Sequence, residues 1–255
     1  MLFAVDIGNT NIVLAVHDGK SWINTWRIHT DTNKTSDEYF VLLESLLKNS
    51  DSNEYKIDKA VISSVVPNLN KAFQKNVVRL FNISPLMINH DLNTGLLRAS
   101  IPVELGSDLL CNLSQAHHLY PNKYVMVIDF GTALTMSCVN NKGEVEGVAI
   151  TPGLITAVNA LFGSTAQLPQ VQLKAPVSVM GKSSDCSIRA GIMFGYAGLV
   201  ESMIVRTEKE LNAELHVIAT GGLSLTISPL ISRINEVHKN FTLDGLEYIT
   251  SLNIK

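Results

Sequence analysis

The stretch VDIGNTNIVLAVHDG, residues 5–19, places an acidic residue, Asp6, within an otherwise apolar run and follows it with Gly8, Asn9 and Thr10. The apolar residues on either side predict two strands joined by a tight turn. Glycine lets the backbone of such a turn approach a ligand closely, and neighbouring N–H groups can donate to an anion. A simple hairpin, in which the carboxylate accepts local N–H groups, is the alternative reading of one such turn.

The same pattern occurs a second time, as IDFGT in residues 128–132, about half the chain length after the first. Here Asp129 lies between apolar runs and is followed by a glycine and a threonine, as Asp6 is. A recurrence at this spacing predicts two similar α/β halves, 1–119 and 120–255, that face each other across a cleft. Each half would contribute one hairpin to that cleft.

Two hairpins of this kind favour a phosphate site over local capping. A carboxylate cannot bind phosphate directly because like charges repel, so the pattern implies a cation between them. Mg²⁺ suits this role, because it is held by one or two protein carboxylates together with phosphate oxygens. Asp6 would hold Mg²⁺ through the phosphates, and the phosphates themselves would lie on Gly8, Asn9, Thr10, Gly131 and Thr132.

Two further turns complete a candidate nucleotide and acceptor site. Gly221 and Gly222 follow a β-branched strand and could let a nucleobase and its ribose rest on the backbone, although an ordinary strand-to-helix turn would look the same. Gly106 and Ser107 precede Asp108 at the head of a predicted helix. Asp108 either caps this helix or serves as the general base for a hydroxyl that attacks the γ-phosphorus.

The composition narrows the class of protein. The chain has 255 residues, of which 46% are hydrophobic and 17% charged, and its net charge is −3. Because the lysines and arginines are dispersed, we expect no nucleic-acid partner and no anionic membrane surface. No uninterrupted apolar stretch approaches the ~20 residues of a membrane helix, so a cytoplasmic protein is expected.

Hydrophobic periodicity predicts alternating strands and helices along the chain. Ser36 is expected to cap the first helix, and Gly191, Gly195 and Gly198 are expected to allow close packing of a long helix. The predicted strands are 2–7, 11–16, 21–28, 59–66, 85–89, 124–138 (with the second turn inside it) and 216–220. The predicted helices after the first are 69–80, 109–119, 153–161 and 188–211.

These motifs, taken in order, resemble those of type III pantothenate kinases. The resemblance covers essentially the whole chain, and it is specific as an ordered set. The motifs that carry it are Asp6-x-Gly8-Asn9-Thr10, Ser63-Ser64-Val65-Val66-Pro67, Gly106-x-Asp108, Asp129-x-Gly131-Thr132-Ala133, Pro152-Gly153, Leu168-Pro169-x-Val171, Gly181-x-x-Ser184 and Thr220-Gly221-Gly222.

The resemblance implies an actin-like ATPase (ribonuclease H-like) fold and a homodimer that phosphorylates pantothenate with ATP and Mg²⁺, the first step of coenzyme A synthesis. It also implies a monovalent cation, K⁺ or NH₄⁺, bound by Asp129, with Thr132 near phosphate. Asp108 would be the base. Gly106 and Ser107 would lie at the pantothenate site, and Ser184 would reach the pantothenate of the partner subunit.

The chain departs from the family pattern on the pantothenate side. Leu109 follows Asp108 where the family has an arginine, and residues 99–102 read Ala-Ser-Ile-Pro in place of an aromatic-Asp-Asn-Pro run. Arg98 is the nearest candidate for a replacement cation. Two alternatives follow: a catalytically impaired, nucleotide-binding regulator, or a kinase of the same fold that acts on another small hydroxyl substrate.

Overall fold

A computed structural model describes residues 1–49, 56–163 and 171–254. Two residues of the sequence motifs named above, Leu168 and Pro169, lie outside these ranges.

The chain forms two compact units. The first comprises Met1–Gln115 together with Thr242–Lys255, and the second is Ala116–Phe241. The predicted halves, 1–119 and 120–255, differ from these units chiefly at the end of the chain, because the last segment belongs to the first unit.

The first unit contains a five-stranded sheet with the spatial order β3-β2-β1-β4-β5. The strands are β1 (Leu2–Ile7), β2 (Asn11–His17), β3 (Trp22–His29), β4 (Lys59–Ser64) and β5 (Leu86–Met87). The β2 strand is antiparallel to β1 and β3, whereas β1, β4 and β5 are parallel. The central β1 strand is buried along its length as expected for such a position, and Asp6 is its one residue that is only half-buried.

Three helices of this unit follow the predicted periodicity: α1 (Ser36–Lys48), α2 (Pro67–Phe81) and α3 (Ser107–Leu119). The α1 and α2 helices pack together on the sheet, and the rings of Tyr39 and Phe73 lie 4.9 Å apart between centroids. The cap of α1 was predicted one residue too late. Thr35, not Ser36, accepts the N–H of Glu38, and the Glu38 carboxylate accepts the N–H of Thr35, which is a capping box.

The last helix, α7 (Phe241–Asn253), was not predicted, and it packs in the first unit. The Trp22 indole N–H donates to Asp244 at 2.7 Å, and Lys59 donates to the carbonyl of Ile254 at 3.1 Å. Gly245 lies so close to the backbone of Cys111 that a Cβ there would clash with it. These contacts join residues far apart in sequence, so no local pattern could have predicted them.

The second unit repeats the topology of the first. Its strands are β6 (Tyr124–Phe130), β7 (Ala133–Val139), β8 (Val145–Pro152), β9 (Leu215–Thr220) and β10 (Glu236–Val237). Their order, β10-β9-β6-β7-β8, is that of the first sheet read from its other edge, and the parallel and antiparallel pairings correspond. The prediction of two similar α/β halves is therefore confirmed, although β8 and β10 were not themselves predicted.

The helices of the second unit are α4 (Leu154–Gly163), α5 (Ser184–Leu211) and α6 (Ser224–Ile227). The α5 helix packs on the sheet through residues at helical spacing, namely Ala190, Met193, Ala197, Val200 and Ile204.

The glycines of α5 differ from the sequence prediction. Gly191, Gly195 and Gly198 are exposed, and within the described part of the chain a Cβ at any of them would meet no atom within 4 Å. The predicted close packing is therefore wrong within that part. The helix is also long and apolar enough to cross a membrane, by length and composition only. Glu201 interrupts its apolar residues, so the expectation that no uninterrupted apolar stretch approaches ~20 residues is not contradicted.

Candidate active site

The first Asp-x-Gly turn is a tight connection between β1 and β2. The Gly8 N–H donates to the Asn11 carbonyl at 3.0 Å. Thr30, the residue after β3, stabilises this turn with two hydrogen bonds. Its hydroxyl donates to the Gly8 carbonyl at 2.7 Å, and its N–H donates to the Thr10 carbonyl at 2.9 Å. Asn9 is exposed at the tip. Sequence reasoning missed Thr30, which has no motif of its own.

A chain of hydroxyl groups connects Asp6 to the start of α3. In the sheet register Asp6 lies beside Ser63 of β4, and the Ser63 hydroxyl donates to Asp6 Oδ1 at 3.0 Å. The hydroxyls of Ser63 and Ser107 are 3.0 Å apart, and Ser107 also accepts the N–H of Ser64 at 2.9 Å. Ser107, which was predicted to lie at the pantothenate site, therefore positions Asp6 through Ser63.

Asp108 lies beside this network. Its Oδ1 accepts the N–H of Leu109 at 2.8 Å, and burial raises the pKa of the Asp108 carboxyl above its usual value of 3.8. The thiol of Cys111, one turn further along α3, has a pKa well above the ordinary value, mainly because it is buried and also because of the negative charges of Asp6 and Asp108. Both carboxylates therefore lie near enough to this thiol to act on it electrostatically.

The second Asp-x-Gly turn repeats this design in the second unit. Asp129 lies beside Thr220 in the register of β6 and β9, as Asp6 lies beside Ser63. The Gly131 N–H donates to the Ala133 carbonyl at 3.2 Å. The Thr132 carbonyl accepts the N–H of Gly153 at 3.0 Å, and the side chain of Thr132 is exposed.

Gly221 is packed directly onto this second turn. Its φ is +91°, and a Cβ there would lie 2.7 Å from the backbone N and C of Phe130 and nearer still to Asp129 Oδ1. The structure therefore brings Gly221 against Asp129, with Gly222 exposed beside it. The predicted turn is a site of close backbone approach, for which only glycine has room.

Ser184 is the exposed first residue of α5. Its neighbour Ser183 is the helix N-cap and accepts the N–H of Cys186 at 3.3 Å. The predicted role of Ser184 toward a partner subunit stays a prediction.

The oxygens around Asp6 fit a magnesium ion held mainly through phosphate. A carboxylate with a serine hydroxyl beside it is the hard-oxygen chemistry that Mg²⁺ prefers. Within residues 1–49, 56–163 and 171–254, no group of three or more His, Cys, Asp or Glu side chains could hold a metal ion by itself. Phosphate oxygens would supply the remaining ligands.

A pocket of about 380 Å³ opens at the carboxyl ends of β4 and β5, with Gly106 and Ser107 in its wall. Its size is that of a small-molecule site, and ligands of α/β sheets bind at this end of the strands. Leu109 is only 8% exposed and is a core residue. Arg98 is not part of the pocket wall and pairs with Asp91 at 2.5 Å, so it is not placed as the replacement cation.

Proteins of known structure confirm the predicted actin-like fold. An activator of 2-hydroxyisocaproyl-CoA dehydratase from Clostridium difficile, solved with bound ADPNP, superposes with a TM-score of 0.53 at 14% identity, covering 97% of this chain and 92% of that one. Component A of (R)-2-hydroxyglutaryl-CoA dehydratase from Acidaminococcus fermentans gives a TM-score of 0.52 at 13% identity, covering 97% and 95%.

Closer relatives identify the family. The family model described as type III pantothenate kinase matches residues 2–206. A type III pantothenate kinase of Acidiphilium cryptum is 42% identical over 99% of this chain and 95% of its own length, and one of Geotalea daltonii is 37% identical over 99% of both. The two Asp-x-Gly hairpins, the hydroxyl chain from Asp6 to the start of α3 and this similarity agree, and the chain belongs to the type III pantothenate kinase family.

Proposed function

We propose that the protein transfers the γ-phosphoryl group of ATP to the hydroxyl of pantothenate, giving 4′-phosphopantothenate in the first step of coenzyme A synthesis. The observation that carries the proposal is the chain of hydroxyls that runs from Asp6 through Ser63 to Ser107, the residue directly before Asp108. The Asp6 carboxylate is available to the metal ion and the phosphates, and the Asp108 carboxylate is available to the acceptor hydroxyl. The full-length similarity to type III pantothenate kinases supports the acceptor.

In this mechanism Asp108 accepts the proton of the acceptor hydroxyl as its oxygen bonds to the γ-phosphorus, the bond from that phosphorus to the bridging oxygen breaks, and ADP leaves. Mg²⁺, when bound, neutralises charge on the phosphate oxygens. Asp6 would hold that ion, while Ser63 and Ser107 fix the Asp6 carboxylate. Backbone N–H groups near Gly8 and Gly131 would orient the phosphates.

The second unit would bind the rest of the nucleotide and a monovalent cation. Gly221 and Gly222 would contact the adenosine, because their turn leaves the backbone accessible to a flat ligand. The ADPNP bound to the Clostridium difficile neighbour supports nucleotide binding by this fold. Asp129 would bind K⁺ or NH₄⁺, with Thr132 near phosphate.

The test is an assay of the purified full chain with ATP, Mg²⁺ and pantothenate, in which 4′-phosphopantothenate is detected by mass spectrometry. Turnover is expected with K⁺ or NH₄⁺ and is expected to fall when choline replaces them. Undiminished turnover in choline would contradict the cation role. Nucleotide binding without any turnover would instead favour the regulatory alternative, and turnover of another hydroxyl compound alone would favour a different kinase.

We further propose a homodimer formed through the second unit. Several large apolar side chains are exposed there: Ile150, Ile155, Phe162, Val177, Val179 and Met180. The exposed glycines of α5 would let a helix of a second copy approach closely. Exposed apolar side chains of this kind suit an interface, and a second copy is the occupant that the family resemblance implies. A second copy would cover the apolar face of α5 in place of a lipid bilayer. We therefore propose that the enzyme is cytoplasmic, and we propose no nucleic-acid partner.

Replacing Ile155 with glutamate is expected to weaken the dimer about 100-fold or more, because it would bury an unpaired charge in the apolar interface. Ile155 is 53% exposed in the single chain. The measurement is mass by size-exclusion chromatography with light scattering over a dilution series. Val41→Glu is the matched control, since Val41 is a 62% exposed residue of α1 in the first unit. A dimer that is unchanged by Ile155→Glu would contradict the proposed interface.

A further inference from the structure

We infer that Thr30 is a positioning residue for the phosphates of ATP. Its hydroxyl holds the first Asp-x-Gly turn in the conformation in which a backbone N–H of the turn is free to bind an anion. The inference rests on the proposed function, because it takes this turn to be the one that meets the phosphates of a nucleotide. Thr30 belongs to no motif of the sequence, and its role follows from its contacts.

The two hydrogen bonds of Thr30 fix two peptide groups of the turn. One joins its hydroxyl to the Gly8 carbonyl, and the other joins its N–H to the Thr10 carbonyl. Because a peptide group is planar and trans, its carbonyl and its N–H point in opposite directions. The N–H that shares a peptide group with the Gly8 carbonyl is that of Asn9. The bond from the Thr30 hydroxyl therefore directs the Asn9 N–H away from Thr30.

The N–H of Asn9 is available to a ligand. Asn9 is exposed at the tip of the turn, and among the described residues its N–H has no hydrogen-bond partner. Backbone N–H groups of such turns bind anions. A donor whose direction is fixed before the ligand arrives binds more tightly than a mobile one, because less ordering is needed on binding. Thr30 supplies that fixed direction.

Thr30 is itself held by the core of the first unit. It is only 8% exposed. The next residue, Asp31, is bonded to the buried Tyr39 of α1, whose hydroxyl accepts the Asp31 N–H at 2.9 Å and donates to the Asp31 carbonyl at 3.0 Å. Tyr39 packs against Phe73 of α2. The turn is therefore connected through Thr30 to the packed layer of helices on the sheet.

The second Asp-x-Gly turn is held at the corresponding place by other groups. Gly153, the residue after β8, donates its N–H to the Thr132 carbonyl at 3.0 Å, and the Thr156 hydroxyl donates to the same carbonyl at 2.6 Å. A Cβ at Gly153 would clash with the carbonyl oxygens of Gly131 and Thr132. Both turns thus receive one N–H and one threonine hydroxyl from the segment that follows the third strand of the unit, and the hydroxyl of Thr30 is the one that reaches the glycine carbonyl.

A pair of variants of the purified full chain tests the inference. Thr30→Val removes the hydroxyl and keeps the N–H, whereas Thr30→Ser keeps both donors. With Mg²⁺ present, the Kd for ADPNP and the KM for ATP are expected to be about tenfold higher in Thr30→Val than in Thr30→Ser, the size of one hydrogen bond, and the KM for pantothenate is expected to be equal in the two. Equal ADPNP affinities overturn the inference. If no form of the chain phosphorylates pantothenate, the proposed function fails, and the calorimetric Kd values for ADPNP still decide the inference.

Thr250→Val is the matched control for lost stability. Thr250 is a buried threonine of α7 whose hydroxyl donates to the Leu246 carbonyl at 2.7 Å, the length of the bond from Thr30 to Gly8. This control is expected to lower the midpoint of thermal unfolding and to keep the wild-type affinity for ADPNP. An equal loss of affinity in Thr250→Val and Thr30→Val would reflect general loosening of the first unit and would overturn the inference. If Thr30→Val does not fold, Thr30→Ala replaces it in both comparisons.

Discussion

Asp108→Asn is expected to lower kcat about 100- to 10,000-fold, the usual contribution of a general base, while ATP binding is retained. The substitution removes the proton acceptor but keeps an oxygen that can accept the Leu109 N–H, as Asp108 Oδ1 does at 2.8 Å. The loss should therefore come from the chemical step and not from the start of α3. Steady-state kinetics and equilibrium binding of an ATP analogue measure the two quantities separately.

The same variant is expected to be as stable as the wild type at neutral pH, or more stable. Burial raises the folded-state pKa of Asp108 above 3.8, so ionisation of this carboxyl costs folding free energy. The stabilising contribution of the protonated form is complete below the unfolded-state pKa and is lost as the pH rises through the folded-state pKa. Asparagine cannot ionise and does not incur this cost at pH 7.

The pH dependence of the wild-type rate follows from the same shift. Because Asp108 acts only when deprotonated, kcat should fall on acidification at a higher pH than an ordinary aspartate would give. Asp37→Asn is the matched control, since Asp37 is an exposed carboxylate in the first turn of α1. A variant Asp108→Asn with normal kcat and a lower midpoint of thermal unfolding would assign Asp108 to helix capping and contradict its role as base.

The recurrence of Asp-x-Gly made the fold predictable from the sequence. Each copy fixes the same point of its sheet, since Asp6 and Asp129 occupy corresponding positions of β1 and β6. Two copies of the motif about half a chain apart predict two sheets of the same topology. The apolar segments on either side of each motif predict the strands of those sheets. The N-cap of α1 could also have been predicted correctly, because Thr35 lies three residues before Glu38, which is the spacing of a capping box. Ser36 was predicted instead.

The parts that could not be predicted depend on contacts between distant residues. The α7 helix joins the first unit through Gly245 and Asp244, and neither residue carries a local signal of its partner. In the candidate site, the residue types were predictable, whereas their connection was not. The bond from Ser63 to Asp6 and the approach of Ser107 to Ser63 depend on sheet register and on where α3 begins.

Gly221→Ala is expected to have the largest effect on the second unit. The φ of Gly221 is +91°, which an alanine adopts at a cost of about 1–2 kcal/mol. Its Cβ would also lie 2.7 Å from the backbone of Phe130 and still nearer to Asp129 Oδ1, and relieving such overpacking costs about 1–3 kcal/mol. Since the backbone of β6 cannot yield as a flexible side chain would, we expect unfolding free energy to fall by about 2–5 kcal/mol in total.

Because the clash involves Asp129, the displacement should reach the proposed nucleotide and cation side as well. Gly19→Ala separates the two costs: Gly19 has a similar φ of +99°, and a Cβ there would meet no atom within 4 Å in the described structure. That control should show the backbone cost alone and retain ATP binding. Chemical denaturation and calorimetry with ADPNP make the comparison. If Gly221→Ala binds ADPNP with the affinity of Gly19→Ala, the turn at Gly221 does not shape the nucleotide site, and the adenosine must rest elsewhere.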